Sequence, residues 1–241
     1  MKRTIREILF YMKNVRRGIA WLAAGMVLPL LSSCQVLGLA ASTLTGSDTV
    51  AAAYKGLAGQ KCGVMVWADE VISSDFHNLA IDTANGIQEK LEEGNKAGVT
   101  EVKDLTFVPA EKIAAFQQAH AETQFDAVEE VAPKLGVARL VYVEIERFQT
   151  QPNESPELLR GTMTASLKVV EIKDGKGKVV YAERNIVVVF PKNCPPEGLP
   201  NQSEPVIYRQ TIDAATTEIS ERFIPHPATD SDYGNPTDVH N

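Results

Sequence analysis

Side chains able to do chemistry are few in this 241-residue chain: three cysteines, four histidines and a scatter of carboxylates. Asp69, Asp75 and His77 fall around the end of the first apolar run, Gly63-Val64-Met65-Val66-Trp67. Open α/β sheets often place a ligand at such a strand end. Two carboxylates and an imidazole could take a metal ion or a polar small molecule, so these three residues form the candidate ligand site. A second reading stays open beside it, in which Asp75 caps a helix, His77 lies in the exposed first turn and Asp69 satisfies loop amides. His120 and His240 lack companions at catalytic spacing, and His226 between Pro225 and Pro227 marks a turn. No glycine-rich phosphate loop, G-x-S-x-G elbow or H-E-x-x-H helix occurs. Neither catalysis nor a bound cofactor or metal is therefore expected.

The cysteines divide into one near the start and two in the body of the chain. Cys62 and Cys194 allow one intramolecular disulfide, which would close a loop of about 130 residues and could stabilise by several kcal/mol. Two unpaired thiols are the alternative. A metal or redox pair would call for C-x-x-C spacing, which is missing.

Cys34 has a different setting. Residues 1–17 carry the positive charge, residues 18–31 (GIAWLAAGMVLPLL) are apolar throughout, and Leu31-Ser32-Ser33-Cys34 places small residues before the thiol. This is the three-part layout of an export signal. It resembles the bacterial lipobox, in which the signal over 1–33 is cleaved before a diacylated cysteine. That resemblance implies lipid attachment at Cys34, and two or three acyl chains hold a protein durably to a bilayer where one does not. An uncleaved anchor helix is the competing reading, because Gly18 to Gly46 contains no charged residue and about 20 apolar residues span a bilayer. Pro29 and the Ser32-Ser33-Cys34 step interrupt that run. In enteric-type lipoproteins an aspartate beside the lipidated cysteine marks inner-membrane retention; the sequence after Cys34, with Val36 two positions on, has none, so the resemblance implies the outer membrane, lipid-anchored on its periplasmic face.

The net charge of −7 conceals an asymmetry, since 24 basic and 31 acidic residues become 18 and 30 once residues 1–33 are set aside. A body that acidic repels phosphate backbones, so nucleic acid is not an expected partner. A hydrophobic share of 44% supports a folded core.

The elements that must position these residues follow from periodicity. Residues 34–60, rich in small residues, read as a tether. As a flexible coil, about 26 residues reach roughly 28 Å. After the strand at 63–67, Phe76, Leu79, Ala80, Thr83, Ile87 and Leu91 recur at helical spacing, capped from Ser73-Ser74-Asp75. A weaker strand at 104–108 leads through Pro109 into short helices over 110–120 and 124–135, the second with Phe125, Val128, Val131 and Leu135 on its inner side. Arg139–Phe148 alternates apolar with charged, marking one wet face. Runs 161–173 and 178–190 flank Asp174-Gly175, a hairpin signal. Residues 206–223 form a closing helix. The expected fold is α/β: one three-layer-like domain over 61–227, a mixed sheet of about five strands, early strand-helix units and a late hairpin with its helix. A polar tail occupies 228–241. Trp67 is expected in the core. Glu144, Glu146, Glu171, Lys168 and Arg147 would form a solvated face or, with Tyr142 and Phe148, a surface that recognises a partner.

The strand GVMVWADE, the amphipathic helix after it, the Lys134-Leu135-Gly136-Val137-Ala138 step into a strand, the hairpin LKVVEIKDGKGKVVYAER and the helix ending in Arg222-Phe223 resemble bacterial envelope lipoproteins related to the TolB N-terminal domain. That group includes CsgG-like secretion lipoproteins and LpoB-like activators of cell-wall synthases. The resemblance implies a non-enzymatic interaction module contacting an unidentified envelope protein, or a subunit of a homo-oligomeric secretion ring. A pore-lining hairpin needs strands of about 9–11 residues with an apolar outer face. The connections at 94–103, 149–160 and 191–205 supply none.

Overall fold

Both sides of the first strand are apolar, as a strand buried inside a sheet requires. In the computed structural model, which describes residues 49–152 and 157–228, that strand, β1 (Lys61–Ala68), lies between two parallel neighbours. Chain order continues with α1 (Glu70–Asp75), α2 (Leu79–Lys96), the two-residue β2 (Thr106–Phe107), α3 (Ala110–Ala119), α4 (Val128–Val131), β3 (Arg139–Gln149), β4 (Gly161–Lys173), β5 (Lys176–Phe190) and α5 (Glu204–Ser220). The sheet order is β2-β1-β3-β4-β5, parallel across β2, β1 and β3 and antiparallel from β3 onwards. The expected mixed α/β architecture, with five strands, a late hairpin and a closing helix, is the one observed.

One compact unit runs from Val50 to His226. It therefore takes in residues 50–60, which the tether was expected to include. Leu57 is buried in the main core, and the Tyr54 amide donates to the Arg222 carbonyl at 2.8 Å. The other unit, Met1–Thr49 with Pro227–Asn241, is represented among the described residues only by Thr49, Pro227 and Ala228. The leader, Cys34 and tail residues 229–241 lie outside the described residues.

Helices α2 and α5 cover one face of the sheet. Val64, Val66, Val141, Val143, Met163, Leu167 and Val169 meet Leu79, Ile87, Leu91, Ile212 and Ile219 there, burying the apolar stripe of each helix. The opposite face carries a smaller cluster of Met65, Leu140 and Val170 beneath Ile113, Val128, Val131 and Ala132. Among the described residues, only this part of the second face is covered. Helix over 124–135 was expected, and the segment instead breaks into a 3₁₀ turn (Ala121–Phe125), α4 and a second 3₁₀ turn (Ala132–Leu135). Pro133 removes the amide that a continuous helix would need there. Gly136, at φ +65°, reverses the chain into β3.

The hairpin between β4 and β5 turns through Asp174 and Gly175, both at positive φ (52° and 72°), as the tight two-residue turn demands. Among the described residues, β5 ends the sheet on that side. Its exposed positions alternate strictly through Lys176, Lys178, Val180, Ala182 and Arg184.

Candidate functional site

Strand alternation alone would place Tyr142, Glu144, Glu146 and Phe148 on one face. A bulge at Glu146 shifts the register between β3 and β4, so that Ile145 faces Ala165 while Arg147 faces Thr164. Glu146 accepts a hydrogen bond from the Ser166 hydroxyl across the bulge. Beyond it, Phe148 is turned to the helix side, 6% exposed, with its ring 4.7 Å from Phe76 and 5.6 Å from Tyr208. Phe148 therefore belongs to the core and not to the partner surface for which alternation selects it.

Tyr142, Glu144 and Lys168 do share the open face, and Trp67 joins them. Trp67 is only partly buried because the covering segment stops short of the C-terminal end of β1. These side chains, with Met65, floor a groove of about 280 Å³ whose wall is built from residues 123–131. Lys168 lies over the Tyr142 ring, its Nζ 5.8 Å from the centroid, within cation–π range. Burial, and then the neighbouring Glu144 carboxylate, push the Tyr142 phenol up to about 12. Among the described residues, Trp67, Tyr142, Glu144 and Lys168 make no side-chain hydrogen bond or ion pair. Apolar floor and unengaged polar groups together are what a recognition groove requires. The wall went unseen in the sequence because Phe125, Val128, Val131 and Leu135 recur at helical spacing and so read as the inner side of one continuous helix. Phe125 was expected to face inwards. It lies in the 3₁₀ turn and is 86% exposed, more than any other large apolar side chain of the described residues.

Asp69, Asp75 and His77 are neighbours in sequence but do not converge. The Asp69 carboxylate caps α1, accepting from the Ile72 amide at 2.8 Å. Asp75, in the last turn of α1, and His77, after it, are exposed, and no hydrogen bond or ion pair joins any two of the three. The extra helix α1 is the reason: it takes Asp69 as its cap and moves the start of the long helix back to Leu79. Asp75 instead borders a shallow cleft with Phe148, Thr150 and Glu204, where the Thr150 hydroxyl donates to Glu204 at 2.8 Å. Among the described residues, no three His, Cys, Asp or Glu side chains gather closely enough to hold a metal ion.

Cys62 and Cys194 are free thiols. The bridge that their number allows does not form, because they occupy opposite ends of the sheet. Cys62 pairs with Arg139, the first residue of β3, whereas Cys194 follows Phe190, opposite Gly161 and beside the last residues of β3. An 11-residue strand separates those ends by roughly 30 Å. A disulfide needs Cα atoms within about 7 Å. Burial pushes the Cys62 thiol up to about 12, only partly opposed by the Arg139 charge.

No family model matches the chain, and no curated protein does. Among solved structures, it is similar to the PelC dodecamer from Paraburkholderia phytofirmans, with a TM-score of 0.36 at 11% identity over 73% of this chain and 95% of that one. It is also similar to the hypothetical protein CT253 from Chlamydia trachomatis (TM-score 0.34, 10% identity, 68% of this chain and 96% of that one). Lipoprotein GNA1162 from Neisseria meningitidis gives 0.33 at 13% identity, over 67% and 96%. Among the described residues, no helix is long and apolar enough to cross a membrane.

Proposed function

We propose that this chain is a bacterial envelope lipoprotein, fixed through acylated Cys34 to the periplasmic face of the outer membrane. There it acts as a non-enzymatic interaction module in assembly, secretion or control of cell-wall synthesis. The leader ending in Leu31-Ser32-Ser33-Cys34 supports the anchor. The observation that carries the module reading is the half-covered sheet. One face is buried under α2 and α5, while on the other Trp67, Tyr142, Glu144 and Lys168 make no side-chain hydrogen bond or ion pair with the described residues. Unspent polar groups around aromatic side chains are the composition of recognition surfaces.

Two measurements test this. Mass spectrometry of the mature chain from native membranes is expected to find Cys34 first and acylated, and Cys34→Ala is expected to release the protein from the membrane fraction. A photocrosslinker in place of Val187, 58% exposed on β5, is expected to join the chain to a different envelope protein, whereas one in place of Glu93 on α2 is not. Self-products alone, or equal products from both positions, would overturn the module reading.

A further inference from the structure

The groove and the most exposed apolar side chain lie side by side. Gln124 and Asp126 line the groove, and between them Phe125 turns its ring out into solvent, 86% exposed. A knob adjacent to its own hole is the arrangement that a two-fold contact uses, since an axis beside the rim carries each knob into the other hole. We propose that two copies of this chain associate reciprocally, each placing Phe125 in the other's groove against Trp67, Met65 and Tyr142.

The fit is one of size and of charge. A cavity of about 280 Å³ accommodates a phenyl ring with room for its backbone. Trp67 and Tyr142 offer ring faces and edges to it. Lys168, which makes no ion pair among the described residues, is the cation in a groove that Asp126, Glu129 and Glu144 also line, and it is available to the carboxylate that follows the incoming knob, Asp126 of the second copy. Among the described residues, the Asp126 carboxylate is held at home by one long, exposed contact of 3.5 Å with Lys134, which it can exchange at little cost. An aromatic side chain buries on the order of 150–250 Å², so two rings fall well short of the roughly 800 Å² per partner of a stable complex. The dimer is therefore weak in solution and is favoured where chains share one surface, because tethering raises their effective concentration. The contact leaves the β5 side of the open face uncovered for another protein, and its enrichment on a membrane rests on the anchor proposed above, whereas the sedimentation measurement below does not.

The test is p-benzoylphenylalanine in place of Phe125 in the full chain, irradiated in membranes from a mixed population of light and heavy isotope. The expected product has twice the chain mass and joins position 125 of one copy to the peptide around Met65 and Trp67, or around Tyr142, of the other. Products that are only intramolecular, or only with other proteins, would overturn the proposal. Phe125→Ser touches no core contact and should leave the fold intact. In sedimentation equilibrium of the detergent-solubilised chain it is expected to raise the dimer dissociation constant at least tenfold, and an unchanged constant would equally sink the idea. Asp126→Lys is expected to weaken the dimer, and adding Lys168→Asp to restore it. Loss without restoration removes the ionic part of the contact.

Discussion

Arg222 grips Glu183 with two nitrogens: Nε lies 3.2 and 3.1 Å from the two carboxylate oxygens, and Nη2 lies 3.0 Å from the first. Tyr181 donates its hydroxyl to the same carboxylate at 2.6 Å, and Arg222 reaches Glu218 at 2.9 Å. The pair clasps the end of α5 to β5, the strand farthest from the parallel half of the sheet. Removing Arg222 leaves the half-buried Glu183 carboxylate with only the Tyr181 hydroxyl, and removing Glu183 leaves Arg222 with Glu218, so each loss is compensated only in part. Arg222→Met and Glu183→Gln are each expected to destabilise the fold by about 1–3 kcal/mol in urea unfolding, with a double variant costing less than the sum. Strict additivity would show that the clasp contributes nothing.

Glu183 also sets part of the acid response. Burial raises its carboxyl, but the hydrogen bonds from Arg222 and Tyr181 outweigh this and hold it below the ordinary value of 4.5. A lowered folded value contributes stability above the unfolded value, and that stability is lost as pH falls through the folded one. Stability is expected to decline below about pH 4.5, with a shallower decline in Glu183→Gln. Equal acid limbs in the two proteins would exclude Glu183 as the source.

At the alkaline side Cys62 works in the opposite direction. Its folded value of about 12 stands above the ordinary 9.0. The neutral thiol therefore contributes fully below pH 9, and its contribution is lost as pH rises between 9 and 12. One such group gives a slope of up to ~1.4 kcal/mol per pH unit, which Cys62→Ala is expected to remove. The measurement is urea midpoints from pH 8 to 11 in both proteins.

The two thiols should also differ in reactivity. A thiol reagent at pH 8 is expected to modify Cys194 rapidly without prior reduction, and Cys62 only after unfolding, because attack requires an accessible thiolate. Need for a reductant before either reacts would indicate a bridge after all.

Gly177 is the point at which the cover meets the hairpin, since a Cβ there would run into the Glu129 carbonyl. Gly177→Ala is expected to cost about 1–3 kcal/mol by overpacking and to speed amide exchange over residues 123–131, the groove wall. Exchange confined to the hairpin would mean that the wall stands without that contact.

The core strands were legible because their apolar residues recur at the right period, and the hairpin because Asp174-Gly175 admits one tight turn. Glu144 and Lys168 could be assigned to a wet face for the same reason. What escaped depends on single residues that break the period. The bulge at Glu146 carries Phe148 to the far side, and Asp69 nucleates a helix that no stripe announces. The stretch around Phe125, whose spacing reads as a helix face, breaks at a 3₁₀ turn and forms a wall instead. Distance across the sheet, which decides the fate of Cys62 and Cys194, is fixed by strand register, and no local pattern encodes register.

The outer border of β5 has a practical corollary. A free sheet margin ordinarily invites another chain to extend it, and repeated extension ends in fibres. Here Lys176, Lys178 and Arg184 occupy that margin, and Asn185, at φ +58°, kinks it where the pairing register with β4 slips. Like charges on two such margins repel, and a kinked template is a poor one. Molecules at high local concentration can thus collide by their borders without growing into aggregates.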